Sequence, residues 1–190
     1  MTQAIDGVLA PELETTQWLN TLEPVRLSDL KDKVVVIHAF QILCPACVSH
    51  GIPQASAIHE LYMDEEVQVI GLHTVFEHHG VMTVEALKAF AHEYRIRFPI
   101  AVDRPSTSGT IPVTMESYRM QGTPTLIVID QKGRLRLVHF VRLSDMQVGN
   151  VIGGLLAEGL LGISTDASDA TESLDGASCD DNGCLLKAED

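Results

Sequence analysis

Cations are scarce in this 190-residue chain: 13 Lys and Arg stand against 26 Asp and Glu, for a net charge of −13. Nucleic-acid backbones and anionic lipid are both gripped by clustered cations, so neither is an expected partner. Cysteine is scarce too. Four residues cannot build a disulfide scaffold, and a chain this long buries roughly 70% of its unfolded surface without one. A secretory leader is not visible. The first 20 residues hold three acids, no Lys or Arg and no long apolar run, and the expectation is a cytoplasmic protein, or an extracytoplasmic one if the N-terminus has been trimmed. Residues 34–59 lack Asp, Glu, Lys and Arg, but His38, Gln41, Pro45, Ser49 and His50 within them oppose a membrane span, so the chain reads as soluble.

The charged fraction of 21% and apolar fraction of 45% are those of an ordinary globular protein. Composition changes near residue 163. Residues 164–190 carry eight acids and one Lys among Ser, Thr, Ala and Gly, and so hold seven of the net negative charges. A flexible or loosely attached tail is expected there. The division is an N-terminal segment 1–20, one domain 21–163 and the tail 164–190.

Within the domain, strand and helix patterns alternate. Residues 34–40 (VVVIHAF) and 67–73 (VQVIGLH) read as buried strands. Residues 45–63 read as a helix bent near Gly51 and Pro53. A second helix is expected over 83–95 with Thr83 as its N-cap, a short strand over 98–103 and a short helix over 113–120. Strands 125–130 and 134–141 flank a QKG turn. The last helix, 144–158, starts at Ser144, buries Val148, Val151, Ile152, Leu155 and Leu156, and stops before Gly159. The order implies an α/β fold: a central mixed sheet with helices on both faces.

Cys44-Pro-Ala-Cys47 falls between a buried strand and a helix. Cys44 then sits at the helix start, where free N–H groups and the positive dipole end favour a thiolate and lower its pKa. Pro45 suits the first helical position. Cys47, one turn on, is close enough to pair with Cys44 or to attack a mixed disulfide formed there. Cys44 is the candidate nucleophile and Cys47 the resolving thiol; a metal half-site or two core cysteines are the other readings. His38, on the strand before, shares a face with Val36 and Phe40 and could accept the Cys47 proton; a buried neutral ring is its plainer role. In Gly122-Thr123-Pro124-Thr125, a cis Thr123–Pro124 bond would leave the Thr123 backbone free for an extended substrate. Cys179 and Cys184 bracket a turn-prone Asp-Asp-Asn-Gly spacer and could act as a tethered redox relay. His73, His78 and His79 could meet in a loop, but no metal-ligand spacing such as H-E-x-x-H is present, and no metal is assigned.

The runs KDKVVVIHAFQILCPAC and YRMQGTPTLIVIDQKGRL resemble the thioredoxin superfamily, most closely its TlpA/ResA-like and redoxin branch, over about residues 20–160. The resemblance implies a thioredoxin-like fold, thiol–disulfide exchange at Cys44 and Cys47, and a cis-proline at Pro124 opposite them, with no organic cofactor. Leu43 stands where the family often has Trp, and His38 where it often has a carboxylate or amide. The implied partners are a disulfide-containing protein or small thiol substrate and an external electron donor. A peroxiredoxin-like thiol peroxidase is a competing reading, opposed by Gln41 at the position where that family needs Thr or Ser. A non-enzymatic binding module is another.

Overall fold

The run Val34–Phe40 (β2) has no polar face because both of its faces are covered. All seven of its residues are buried. Val34, Val36 and Phe40 join one apolar cluster; Val35, Ile37 and Ala39 join another on the opposite side. β2 pairs in parallel with Val67–His73 (β3) and antiparallel with Thr125–Ile129 (β5). In this computed structural model, which describes residues 7–63 and 66–161 and the backbone of 179–180 and 183–184, a six-stranded mixed sheet is built around that strand. Its outer strands are Thr15–Leu19 (β1), Ile100–Asp103 (β4) and Leu135–Phe140 (β6), and the order is β1-β4-β3-β2-β5-β6.

One face of the sheet is covered by Ile52–Tyr62 (α1), Val84–Glu93 (α2) and Asp145–Leu161 (α4), through Ile52, Ala55, Ile58, Leu87, Ala91, Val148, Ile152 and Leu155. The other face is covered by Val113–Ser117 (α3) and the N-terminal chain, through Met115, Tyr118, Leu27 and the half-buried Trp18. This is the expected α/β architecture, with helices on both faces of a mixed sheet. No helix among the described residues is long and apolar enough to cross a membrane.

Several elements differ from the sequence reading for identifiable reasons. β1 was not foreseen in the segment 1–20. TTQWL has no clean alternation, and the strand exists because β4 offers an open edge that it joins antiparallel. The helix after Cys44 is not merely bent. Cys47–Gly51 forms one π-turn, in which the Ile52 N–H bonds to the Cys47 carbonyl. Pro53 removes one N–H and would clash with the carbonyl four residues back, and the wider turn accommodates both effects. α3 stops at Ser117 because Arg119 takes a left-handed conformation, φ 50°. α4 does not stop at Glu158 but runs through Gly159 to Leu161. The missing Cβ there admits the Gln131 side chain, whose amide donates to the Leu155 carbonyl at 3.1 Å.

Other local expectations held. The Thr83 hydroxyl accepts the Ala86 N–H at 3.2 Å, and the Ser144 hydroxyl accepts that of Gln147 at 3.3 Å. Gly133 turns the hairpin at φ 75°, with the Asp130 carboxylate accepting the N–H groups of Lys132 and Arg134 at 2.9 Å. Arg136 on β6 forks onto Glu158 of α4 at 2.7 and 3.0 Å, and that contact holds the Glu158 carboxyl below its usual range. The tail 164–190 lies outside the described residues, apart from the backbone of Cys179–Asp180 (β7) and Gly183–Cys184 (β8), which pair antiparallel.

Because Ile152 is 1% exposed at the centre of the α4 contact, Ile152→Ala should cost about 2–4 kcal/mol in urea unfolding. A cost under about 1 kcal/mol would show that α4 is not docked as described.

Candidate active site

β2 delivers the chain to the site at its C-terminal end. After Phe40 a tight turn, with the Cys44 N–H bonded to the Gln41 carbonyl at 3.1 Å, lifts Cys44 out of the sheet. Pro45 and Ala46 are already helical, so Cys44 heads the helix as its sequence position implied. Both cysteines are free thiols. The Cys44 Sγ is half-buried and receives the Cys47 N–H at 3.3 Å, a bond that a thiolate accepts better than a thiol. Cys47 is wholly buried. Burial, and next the Cys44 sulfur beside it, push the Cys47 thiol up to about 12, while hydrogen bonds from the Gln41 backbone and Thr123 pull the other way.

The antiparallel register of β2 and β5 sets His38 opposite Leu126 and Ala39 opposite Thr125, so the residues just before β5 lie beside the end of β2. The Thr123–Pro124 peptide is cis. The Thr123 carbonyl faces the Cys44 Sγ at 3.6 Å. Among the described residues the Thr123 N–H makes no hydrogen bond. The Thr125 hydroxyl donates to the Gly122 carbonyl at 2.7 Å, and the Val141 N–H to the Pro124 carbonyl at 2.9 Å. Val141 holds φ 69°, a costly geometry for a β-branched residue of the kind that collects at functional sites.

The segment leading to Pro124 is anchored one layer further out. The buried Asp103 carboxylate accepts the N–H groups of Thr114 and Met115 and the Thr74 hydroxyl at 2.9–3.0 Å, fixing the start of α3. Burial raises the Asp103 carboxyl, and these same bonds oppose the rise.

His38 is 3% exposed, on the same face as Val36 and Phe40. Its ring lies directly against Gly51: a Cβ there would sit 2.3 Å from the His38 Nε2. Burial pushes the ring down to about 4, against a hydrogen bond with the Ala39 backbone, so it is neutral near pH 7. Its Nδ1 has no side-chain partner among the described residues. A cavity of about 10 Å3, lined by His38, Gly51, Gln54, Pro124, Val141 and Leu143, adjoins it and has room for about one water.

Gln41 is the residue that sequence reasoning undervalued. It is 1% exposed. Its carbonyl oxygen accepts the Phe76 N–H at 3.4 Å, and its amide donates to Glu77 at 3.3 Å and to the Thr123 hydroxyl at 3.5 Å. One buried amide thus ties the end of β2 to the 74–82 loop and to the cis-proline segment. The signal was available: an amide at the end of an apolar strand must find partners when buried.

Other candidates separate. His73 is buried against Phe40, with ring centroids 5.4 Å apart, and burial lowers it to about 4; His78 and His79 are exposed. Among the described residues no group of three or more His, Cys, Asp or Glu could hold a metal ion. The side chains of Cys179 and Cys184 lie outside the described residues.

The Redoxin family model matches residues 6–151. NHL repeat-containing protein 2 of Bos taurus is 28% identical over 70% of this chain and 18% of its own length. Thiol-disulfide oxidoreductase ResA of Halalkalibacterium halodurans is 23% identical over 66% of this chain and 64% of its own. The chain therefore spans less than a fifth of the first of these relatives and just under two thirds of the second. A thioredoxin-like superfamily protein of known structure is 51% identical, with a TM-score of 0.77 over 79% of this chain and 97% of its own. A thiol-disulfide isomerase from Corynebacterium glutamicum is 50% identical, also at 0.77, over 80% and 98%.

The two buried imidazoles make stability depend on pH. Each is about 4 in the fold against an ordinary 6.5, so between those values the unfolded chain binds more protons. Their stabilisation is complete above about pH 6.5 and is lost as pH falls through about 4. In His38→Leu the drop in unfolding free energy from pH 7 to 4.5 should shrink by about 2–3 kcal/mol relative to the parent. Parallel pH curves for the two proteins in urea unfolding would contradict a buried neutral His38.

Proposed function

The chain belongs to the redoxin family, and from that footing we propose that it is a thiol–disulfide oxidoreductase working through Cys44 and Cys47. The asymmetry of the two sulfurs carries the reading. Cys44 is reachable and receives a backbone N–H, whereas Cys47 is buried with its thiol pushed up. Relatives named thiol-disulfide oxidoreductase and thiol-disulfide isomerase support it.

The substrate is a disulfide-containing protein or a small disulfide. An extended segment aligns on the Thr123 backbone, whose N–H makes no hydrogen bond among the described residues, as an added strand. The Cys44 thiolate attacks one substrate sulfur, and the other leaves as a thiolate that takes up a proton. Cys47 then attacks Cys44 of the mixed disulfide, forming the Cys44–Cys47 disulfide and releasing the second substrate thiol. The substrate gains two electrons and the protein loses two; an external dithiol returns them.

For the second step Cys47 must lose its proton. Two of the effects that raise it, the Cys44 hydrogen bond and the Cys44 charge, vanish once Cys44 is tied up in the mixed disulfide. We propose His38 as a transient acceptor of that proton, which a ring held near 4 passes on to solvent.

A peroxidase reading is less well supported. Gln41 supplies no hydroxyl three residues before Cys44, and its amide is engaged by Phe76, Glu77 and Thr123.

The reduced protein should cleave insulin disulfides in a turbidity assay, and Cys44→Ser should lower the rate at least about 100-fold. Cys47→Ser should accumulate a Cys44 mixed disulfide visible by mass spectrometry. Full activity in Cys44→Ser, or peroxide-dependent thiol consumption with no disulfide reductase activity, would contradict the assignment.

A further inference from the structure

Glu77 is a carboxylate that lies against the substrate edge of the active site and that the exchange chemistry does not use. The Gln41 side chain links the two: its amide nitrogen donates to the Glu77 carboxylate at 3.3 Å and to the Thr123 hydroxyl at 3.5 Å. One buried amide nitrogen thus sets the Glu77 carboxylate within a side chain's reach of the residue whose carbonyl faces the Cys44 Sγ at 3.6 Å.

The carboxylate is held there by the chain on both sides of it. Before it, the Thr74 N–H bonds to the Phe40 carbonyl at 3.1 Å, and the Thr74 hydroxyl donates to Asp103 at 2.9 Å. Phe76 packs half-buried against the apolar cluster on the α3 face of the sheet, and its N–H bonds to the Gln41 side-chain oxygen at 3.4 Å. After it, His78 takes a left-handed conformation, φ 50°, and its carbonyl accepts the N–H groups of Val81 and Met82 at 2.9 and 3.1 Å. Glu77 therefore sits between a core anchor and a closed turn.

Glu77 is nonetheless exposed, and among the described residues it makes no ion pair. Gln41 is neutral, so its hydrogen bond orients the carboxylate without cancelling the charge. A cation stands on the opposite side of the site. Arg142 lines the small cavity beside Pro124 and follows Val141, whose N–H bonds to the Pro124 carbonyl at 2.9 Å. Neighbouring strands run β3-β2-β5-β6. Glu77 follows β3, Arg142 follows β6, and the Thr123–Pro124 edge precedes β5, so that edge lies between an anionic and a cationic side. A charge on a substrate is then read by its position and not only by the net charge of the protein.

We propose that Glu77 is a specificity-determining residue that selects disulfide substrates carrying a Lys or Arg side chain beside the cysteine that Cys44 attacks. The proposal rests on the oxidoreductase reading above. A substrate strand aligned on the Thr123 backbone brings the side chains that flank its cysteine to the 74–82 loop. A Lys or Arg there pairs with Glu77 without displacing the Gln41 amide, because a carboxylate has acceptor positions to spare. An Asp or Glu at the same place is repelled. Complementarity of this kind selects partners and leaves the sulfur chemistry unchanged, so the effect falls on KM more than on kcat.

The test uses peptides that fluoresce when an internal disulfide is cleaved, identical except for Lys, Gln or Glu next to each cysteine. The parent should favour the Lys peptide over the Glu peptide by about 5–10-fold in kcat/KM, chiefly through KM, because attraction of one and repulsion of the other multiply. Glu77→Gln, which keeps an oxygen for the Gln41 amide, should lower that ratio to about 2-fold or less, the remainder being the field of the whole protein. Glu77→Lys should reverse the preference. Glu93→Gln on α2, an exposed acid beside His92, removes the same charge from the protein and should leave the parent's ratio intact. Equal kcat/KM for the Lys and Glu peptides in the parent, an unchanged ratio in Glu77→Gln, or an equal loss in Glu93→Gln would overturn the proposal while leaving the oxidoreductase reading intact. No cleavage of any of the peptides by the parent would overturn that reading and the proposal with it.

Discussion

The site depends on one backbone hydrogen bond at the head of a helix: the Cys47 N–H pointing at the Cys44 sulfur. That bond can form only because Cys44 occupies the start of the helix and Cys47 its first turn, where N–H groups have no carbonyl to bind. The same geometry that donates the N–H of Cys47 outward carries its side chain inward. The result is one sulfur at the surface with a donor facing it and another in an apolar interior. Two chemically identical groups, three residues apart, thus differ both in solvent access and in hydrogen bonding.

The fold serves this arrangement by controlling three approaches to the end of β2. From below, His38 meets Gly51, and the π-turn around Pro53 sets the path of the helix over that ring. From the side, β5 brings Thr123 and Pro124 into register with the strand end. From the opposite side, the Gln41 amide ties the 74–82 loop to the Thr123 hydroxyl. Asp103 holds α3, and through it the segment that ends in Pro124. Gln41 and Asp103 are buried polar groups with named partners, the condition under which such groups specify a structure rather than destabilise it.

Much of this was legible in the sequence, and the limits have physical reasons. The central strands announced themselves as β-branched apolar runs. C-P-A-C after such a run, with G-T-P-T further on, marked both halves of the site, because helix-start chemistry and X-Pro isomerism are local properties. The edge strand β1 was not legible: its pairing partner is over eighty residues away, and an edge strand needs little pattern of its own. The end of α4 was misjudged because a glycine usually signals a stop, whereas Gly159 is there to admit Gln131. Gln41 was read as a residue unsuited to lipid and for the hydroxyl it lacks; its partners Phe76, Glu77 and Thr123 come from two separate segments that only the fold brings together.

The different solvent access of the two sulfurs is tested most directly by alkylation of the reduced protein. Iodoacetamide is added near pH 8, and the label on each cysteine-bearing peptide is followed by mass spectrometry. Cys44 should be modified quickly, and Cys47, buried and pushed up to about 12, should remain unlabelled until the protein is unfolded. Comparable labelling of Cys44 and Cys47 in the folded protein would contradict the account.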